Sequence, residues 1–163
     1  MDGEELSVRP ATVSETDAIA DLWVDLAEGQ RAHGSNLRTA ENRDRIRESI
    51  GRHAISGGVV VASQSDRIVG FVMFSMEQRL YATALARGVV HNLYVSPERR
   101  GRGIGSRLLS AAEAGLADEG AEAISLETLA DNEAARRFYE RHGYEPHRVE
   151  FEKRVETVTP SDR

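Results

Sequence analysis

The stretch from Val89 to Leu109 constrains the fold more than any other part of the chain. It begins with a run rich in β-branched and aromatic residues, which Ser96-Pro97 interrupts because proline has no amide hydrogen for a strand ladder. A basic, glycine-rich turn follows, and an alanine- and leucine-rich segment with helical spacing begins at about Gly105. The order predicts a strand, a loop and a helix, with the loop at the helix N-terminus.

This loop is a candidate anion site. Bare backbone N–H groups and the helix dipole both favour an anion at a helix N-terminus, and glycines let a ligand approach the backbone closely. The residues concerned are the glycines Gly101, Gly103 and Gly105 and the arginines Arg99, Arg100 and Arg102. They predict a phosphate or pyrophosphate cradle. It is neither a P-loop, because no Lys-Ser or Lys-Thr follows the last glycine, nor a dinucleotide fingerprint, because the G-x-G-x-x-G spacing is absent.

The segment Arg100-Gly-Arg-Gly103-Ile-Gly105 resembles the acetyl-CoA-binding motif of the GNAT superfamily of N-acetyltransferases, and the strand before it, residues 92–95, is similar to the family's fourth strand. The resemblance implies an α/β fold of one domain over residues 1–163, with its core at about 5–155 and a mixed, mostly antiparallel sheet flanked by helices. It also implies acetyl-CoA as cosubstrate. The implied coenzyme-binding residues are Leu93, Tyr94, Val95, Arg100, Gly101, Arg102, Gly103, Ile104, Gly105, Ser106 and Asn132.

A second segment, from Glu127 to Tyr144, resembles the region of the family between its fifth strand and fourth helix. Asn132 stands where the family binds the pantetheine arm, and Tyr139 stands where a tyrosine hydroxyl meets the coenzyme sulfur. In the ribosomal-protein N-terminal acetyltransferases of this superfamily, a glutamate at the place of Glu127 is the base. The resemblance therefore implies Tyr139 as general acid and Glu127 as general base. Direct transfer in a ternary complex is expected, because the chain has no cysteine to carry the acetyl group.

Each of these residues also has a simpler interpretation. The glycines can form only a tight turn, Tyr139 can be an ordinary packed aromatic, Asn132 can be a helix cap and Glu127 can pair with an arginine. His91 and Tyr94 could line the acceptor pocket or be satisfied by backbone bonds on the strand. A non-catalytic acyl-CoA-binding sensor or regulatory module is the alternative to an enzyme. A nucleotide-binding protein that uses the same loop is a weaker alternative.

Composition excludes several other classes. The net charge of −6 argues against nucleic acid as a partner, and no apolar run reaches the length of a membrane span. With no cysteine, and with five histidines that lack metal-ligand spacing, no metal site is expected. The expected partner is a primary amine, either a small molecule or a protein N-terminus or lysine. A cytoplasmic location is expected, and a homodimer is suggested by the family alone.

Periodic segments predict the remaining elements. Before the central strand these are a strand over residues 6–11, a helix capped by Ser14 that ends at about Gln30, an exposed helix over 41–55 with Ile46, Ile50 and Ile55 on one stripe, and a hairpin of strands 59–62 and 68–76. After the loop they are a helix whose Leu108, Leu109, Ala112 and Leu116 face the sheet, a strand over 123–129, a short helix capped by Asp131 or Asn132, a strand over 147–155, and a frayed tail over 156–163. Residues 24–56 and 77–88 are expected to shape the acceptor pocket.

Overall fold

The computed structural model describes residues 5–78 and 84–155. The chain divides into two compact units, and the boundary along the sequence falls between Asp131 and Asn132. The first unit contains β1 (Ser7–Pro10), α1 (Thr16–Arg31), α2 (Arg43–Ile55), β2 (Val59–Gln64), β3 (Arg67–Met76), β4 (Arg87–Val95), α3 (Ile104–Asp118) and β5 (Ala123–Leu126); the second contains α4 (Glu133–Arg141). No helix in the described ranges is long and apolar enough to cross a membrane. The predicted tail, 156–163, lies outside the described residues.

The five strands form one sheet in the order β1-β2-β3-β4-β5. The first three pairings are antiparallel and the β4–β5 pairing is parallel, which confirms the predicted α/β fold with a mixed, mostly antiparallel sheet. A parallel pair needs a crossover, and α3 provides it. The predicted hairpin closes through Ser65 and Asp66, whose φ values of 51° and 59° match the strand twist of a two-residue loop.

One face of the sheet is covered by α1 and α2. Alternate residues of β2 and β3 pack there against both helices, as expected from the two-residue repeat of a strand. The cluster includes Ile19, Ala20, Trp23, Ala27, Ile50, Val59, Val61, Phe71, Met73 and Tyr94. The predicted stripe on α2 is correct only in part, because Ile50 is fully buried whereas Ile55 at the end of the helix is 77% exposed. The helix is therefore a core element and not merely an exposed one.

The helix α3 packs directly against the other face of the sheet. Its four predicted inward residues, Leu108, Leu109, Ala112 and Leu116, are all fully buried. A Cβ atom at Gly115 would lie 2.9 Å from the ring of Phe74, so a glycine is needed for this close approach. The helix begins at Ile104, one residue earlier than expected.

The start of α1 differs from the prediction. Thr12, and not Ser14, caps a single 3₁₀ turn at Val13–Glu15, where Thr12 and Glu15 form a capping box. Glu15 also accepts two hydrogen bonds of 2.8 Å from the guanidinium of Arg9 in β1. These bonds lower the pKa of Glu15 to about 2. The pair ties the first strand to the first helix.

The predicted strand over residues 147–155 is wrong: the described chain is irregular there. Its apolar residues Val149, Phe151 and Val155 are 73%, 92% and 95% exposed. A strand forms when its backbone pairs with a neighbour and one face is buried, and the alternating pattern here has neither in the described structure. Gly143, with φ of 89°, follows the end of α4 as predicted.

We expect Gly58→Ala to lower the free energy of unfolding by about 2–3 kcal/mol. A Cβ atom at Gly58 would collide with the carbonyl oxygen of Phe74, a backbone atom that cannot turn away. Gly51 lies within α2 and has no atom within 4 Å of such a Cβ, so Gly51→Ala should instead raise stability by about 0.5–1 kcal/mol. Urea denaturation of both variants checks this. Equal changes in the free energy of unfolding for the two variants would contradict the close packing described at Gly58.

Candidate active site

The strands β4 and β5 separate partway along their length. Their parallel pairing runs from Arg87 opposite Ala123 to Val90 opposite Leu126, where β5 ends. Beyond that point β4 continues to Val95 and pairs only with β3 among the strands of the described chain. One edge of β4 is therefore open over residues 91–95.

The directions of the backbone N–H and C=O groups along β4 identify the residues that face this open edge. The Ser96 N–H donates to Val69 O at 2.8 Å and so points toward β3. Because backbone groups alternate along a strand, Tyr94 also points toward β3, while Leu93 and Val95 present their N–H and C=O groups to the open edge. The side chain of Tyr94 is buried in the core, with 7% exposed. Of the three predicted residues, Leu93 thus offers both its N–H and its C=O to a ligand. Val95 offers its N–H, because its carbonyl oxygen accepts from Arg100 Nε.

The glycine loop lies directly after this edge. Gly101 and Gly103 have φ values of 77° and 80°, in the left-handed region. A Cβ atom at either position would meet open space, so the backbone conformation and not crowding demands glycine. Gly103 is the N-cap of α3, and the N–H groups of Ile104 and Gly105 in its first turn precede the first helical carbonyls that could accept them.

The arginines of the loop differ in their contacts. Arg100 donates from Nε to Val95 O at 2.9 Å, and its guanidinium lies 5.4 Å from the ring centre of Tyr94. Arg99 donates to Gln64 Oε1 at 2.5 Å, whereas Arg102 is exposed. Arg100 is therefore held at the end of β4, and the loop carries positive charge beside the open edge.

The second unit contains Asn132 and Tyr139. Asn132 Oδ1 accepts from the Ala135 N–H at 3.2 Å, so Asn132 is the N-cap of α4, and its amide nitrogen is the group left for a ligand. The Tyr139 ring packs edge-on against Phe138 and Tyr144, with centroids 5.2 and 5.9 Å apart. Burial raises the pKa of Tyr139 to about 12, so its phenol keeps the proton at neutral pH.

Glu127 lies just past a shortened strand. The predicted strand over 123–129 ends at Leu126, because its pairing with β4 stops there. Glu127 therefore lies after β5, and not on the strand as predicted. Glu127 is exposed and directly follows the last β4–β5 pair.

A cleft near the end of α2 contains residues that the sequence did not bring together. Its volume is about 620 Å³, and it is lined by Arg52, His53, Ser56, Ser75, Met76, Glu77, Gln78, Val89 and His91. His91 was a candidate pocket residue from its place on the central strand. His53 fell within the range 24–56 expected to shape the acceptor pocket, but no motif singled it out, and nothing in the sequence indicated Ser75. Ser75 Oγ lies 2.7 Å from His91 Nε2, and the His53 and His91 rings are 5.6 Å apart in an edge-to-face arrangement.

Known proteins resemble this chain along most of its length. The Acetyltransferase (GNAT) family model matches residues 17–144. The uncharacterized N-acetyltransferase YhfO of Bacillus subtilis is 31% identical over 86% of this chain and 90% of that protein. An aminoalkylphosphonate N-acetyltransferase of Salmonella typhimurium is 28% identical over 90% of this chain and 89% of that protein. The solved structure of aminoglycoside N-acetyltransferase AAC(6')-Iy in complex with CoA shares the fold, with a TM-score of 0.74, 16% identity and coverage of 94% of this chain and 97% of that one.

Proposed function

The chain belongs to the GNAT family of acetyltransferases, and we propose that it transfers the acetyl group of acetyl-CoA to a small primary amine by direct attack in a ternary complex. The observation that carries this proposal is the open edge of β4, which ends at the glycine loop. One edge thus offers backbone donors to an acyl group, and the loop beside it offers N–H groups and positive charge to a pyrophosphate.

The residues fit acetyl-CoA. The loop from Arg100 to Gly103 and the first turn of α3 would hold the pyrophosphate, because the left-handed glycines leave the backbone uncovered. Leu93 and the N–H of Val95 would pair with the pantetheine amides, and the family resemblance assigns Asn132 to the same arm of the coenzyme. When bound, acetyl-CoA supplies a thioester, which is an activated acyl group.

The protein groups have separate roles in the transfer. An N–H group of the open edge, from Leu93 or Val95, polarises the acyl carbonyl. Tyr139 gives its proton to the departing thiolate, since its pKa of about 12 keeps the phenol protonated at neutral pH. Glu127 is the base that the family resemblance assigns to the amine proton. The absence of cysteine favours direct attack over an acyl-enzyme route.

The acceptor enters the cleft at the end of α2. A volume of about 620 Å³ is typical of a site for a small molecule. Five lining residues, Arg52, His53, Ser56, Glu77 and Gln78, fall in the two ranges expected to shape the acceptor pocket. Arg52 would meet an anionic group on the amine, as in the aminoalkylphosphonates that name one relative.

Coenzyme A release, followed with a thiol reagent, tests the proposal. The chain lacks cysteine, so every thiol signal comes from the coenzyme. The amines are aminoethylphosphonate, kanamycin, spermidine, ethylamine and short peptides, and calorimetry measures acetyl-CoA binding in parallel. We expect release that depends on a small amine. Release with peptides alone would overturn the acceptor class, binding without any release would favour a sensor, and absence of binding would overturn the assignment of the loop.

A further inference from the structure

His91 occupies a special place in the central strand. Met73 pairs with Asn92 and Phe74 pairs with Val90, so His91 is the extra residue of a β-bulge. Bulges re-aim side chains and recur beside active sites. His91 is also the first residue beyond the last β4–β5 pair, and two residues before Leu93, which is roughly 7 Å along a strand. Its imidazole is therefore within reach of a group that attacks an acyl carbon at the open edge.

Ser75 fixes one nitrogen of this imidazole. Its Oγ lies 2.7 Å from His91 Nε2. When Nε2–H donates to this oxygen, the neutral ring keeps its lone pair on Nδ1, which can then accept a proton. The arrangement has the two parts of a general base, a proton acceptor and a group that orients it.

Partial burial and a neighbouring histidine favour the neutral form of this imidazole. The partial burial of His91 and then its neighbour His53 lower the pKa of His91 below its usual value. The other charged groups that line the cleft are Arg52 on α2 and Glu77 after β3, and Glu77 lies 3.6 Å from Arg87 of β4. His91 is therefore unprotonated at pH 7 and can act as a base.

We propose that His91, and not Glu127, takes the proton of the attacking amine, with Ser75 as its positioning residue. The proposal rests on the acetyltransferase function proposed above. The acceptor attacks as its neutral amine. The new N–C bond forms, the N–H bond of the attacking nitrogen breaks, and that proton goes to His91 Nδ1. The C–S bond breaks, its electron pair leaves with sulfur, and the thiolate takes the phenolic proton of Tyr139.

The rate of coenzyme A release over pH 5–9, measured with the amines named above, tests the role of His91. Each rate is first corrected for the fraction of the acceptor present as neutral amine, since only that form attacks. We then expect the wild-type rate to fall as the pH drops through the lowered His91 pKa, below 6.5. His91→Ala should reduce kcat about 10²-fold and should remove the fall in rate at acidic pH. Added imidazole should raise the kcat of this variant about tenfold. Ser75→Ala should lower kcat with little change in KM, and Ser75→Thr, which keeps the hydroxyl, should recover it. His147→Ala, at an exposed histidine outside the cleft, is the control.

Nuclear magnetic resonance titration of the histidine ring protons measures the pKa of His91 without any enzymatic turnover. In free protein the His91 pKa should lie below 6.5, and His53→Gln should raise it because a like charge is removed. His91→Gln shows by the same spectra whether the fold survives a change at the bulge. An acidic limb that persists in His91→Ala but disappears in Glu127→Gln would overturn this proposal alone. Acetyl-CoA binding without turnover of any amine by the wild type would overturn the proposed function, and this inference with it.

Discussion

Replacing Tyr139 with phenylalanine is expected to lower kcat about 10²-fold and to leave the KM for acetyl-CoA within about threefold. The variant loses only the hydroxyl, so the ring contacts with Phe138 and Tyr144 remain. Burial raises the pKa of the phenol to about 12, so the phenol still carries its proton when the thiolate departs. Steady-state rates of coenzyme A release measure both constants.

Tyr144→Phe is the matched control for this variant. It removes a hydroxyl from the neighbouring ring, 5.9 Å away, and should change kcat by no more than about threefold. Equal losses in both variants would indicate that the aromatic cluster requires its hydroxyls for structure. An unchanged rate in Tyr139→Phe would show that another group protonates the thiolate.

Replacing Gly103 with valine is expected to raise the Kd for coenzyme A by about 5- to 30-fold, from the loss of about 1–2 kcal/mol of binding free energy. The φ of 80° at Gly103 is unfavourable for a β-branched residue, so the loop must change shape at the N-terminus of α3. Calorimetric titration with coenzyme A measures the effect. Gly103→Asn should weaken coenzyme A binding less than Gly103→Val does, since asparagine tolerates the left-handed region.

The opposite end of the same helix supplies the control. Gly120 has φ of 96° just after α3, and, as at Gly103, a Cβ atom there would meet open space. Gly120→Val should therefore carry a similar strain and a similar loss of stability, but it should bind coenzyme A like the wild type. If Gly120→Val weakens binding as much as Gly103→Val, the loop has no specific role.

The features that the sequence predicted well depend on local chemistry. The inward face of α3, the hairpin of β2 and β3 and the glycine after α4 follow from helical spacing, strand alternation with polar turn residues, and left-handed φ. The glycine loop was predicted for the same reason, since its strand, turn and helix are consecutive in the chain. The structure changes the explanation at Gly103, where backbone conformation matters more than close approach.

The predictions from sequence fail where an element or a side chain depends on residues that are distant along the chain. The strand ending at Leu126 was predicted to reach 129, and residues 147–155 were predicted to be a strand, because alternation was visible but the available partner was not. The cleft shows the same limit: His53 and Ser75 meet His91 from 38 and 16 residues away. Only the register of β3 and β4 and the packing of α2 bring them together.

The open edge of β4 also bears on self-association. An unpaired strand edge at the rim of a sheet is a template for another chain and invites aggregation. Here the unpaired part of β4 belongs to an interior strand of the sheet, with β3 on one side and β5 starting alongside on the other. The unpaired backbone groups are thus limited to residues 91–95 beside the end of β5, where a bound ligand would cover them.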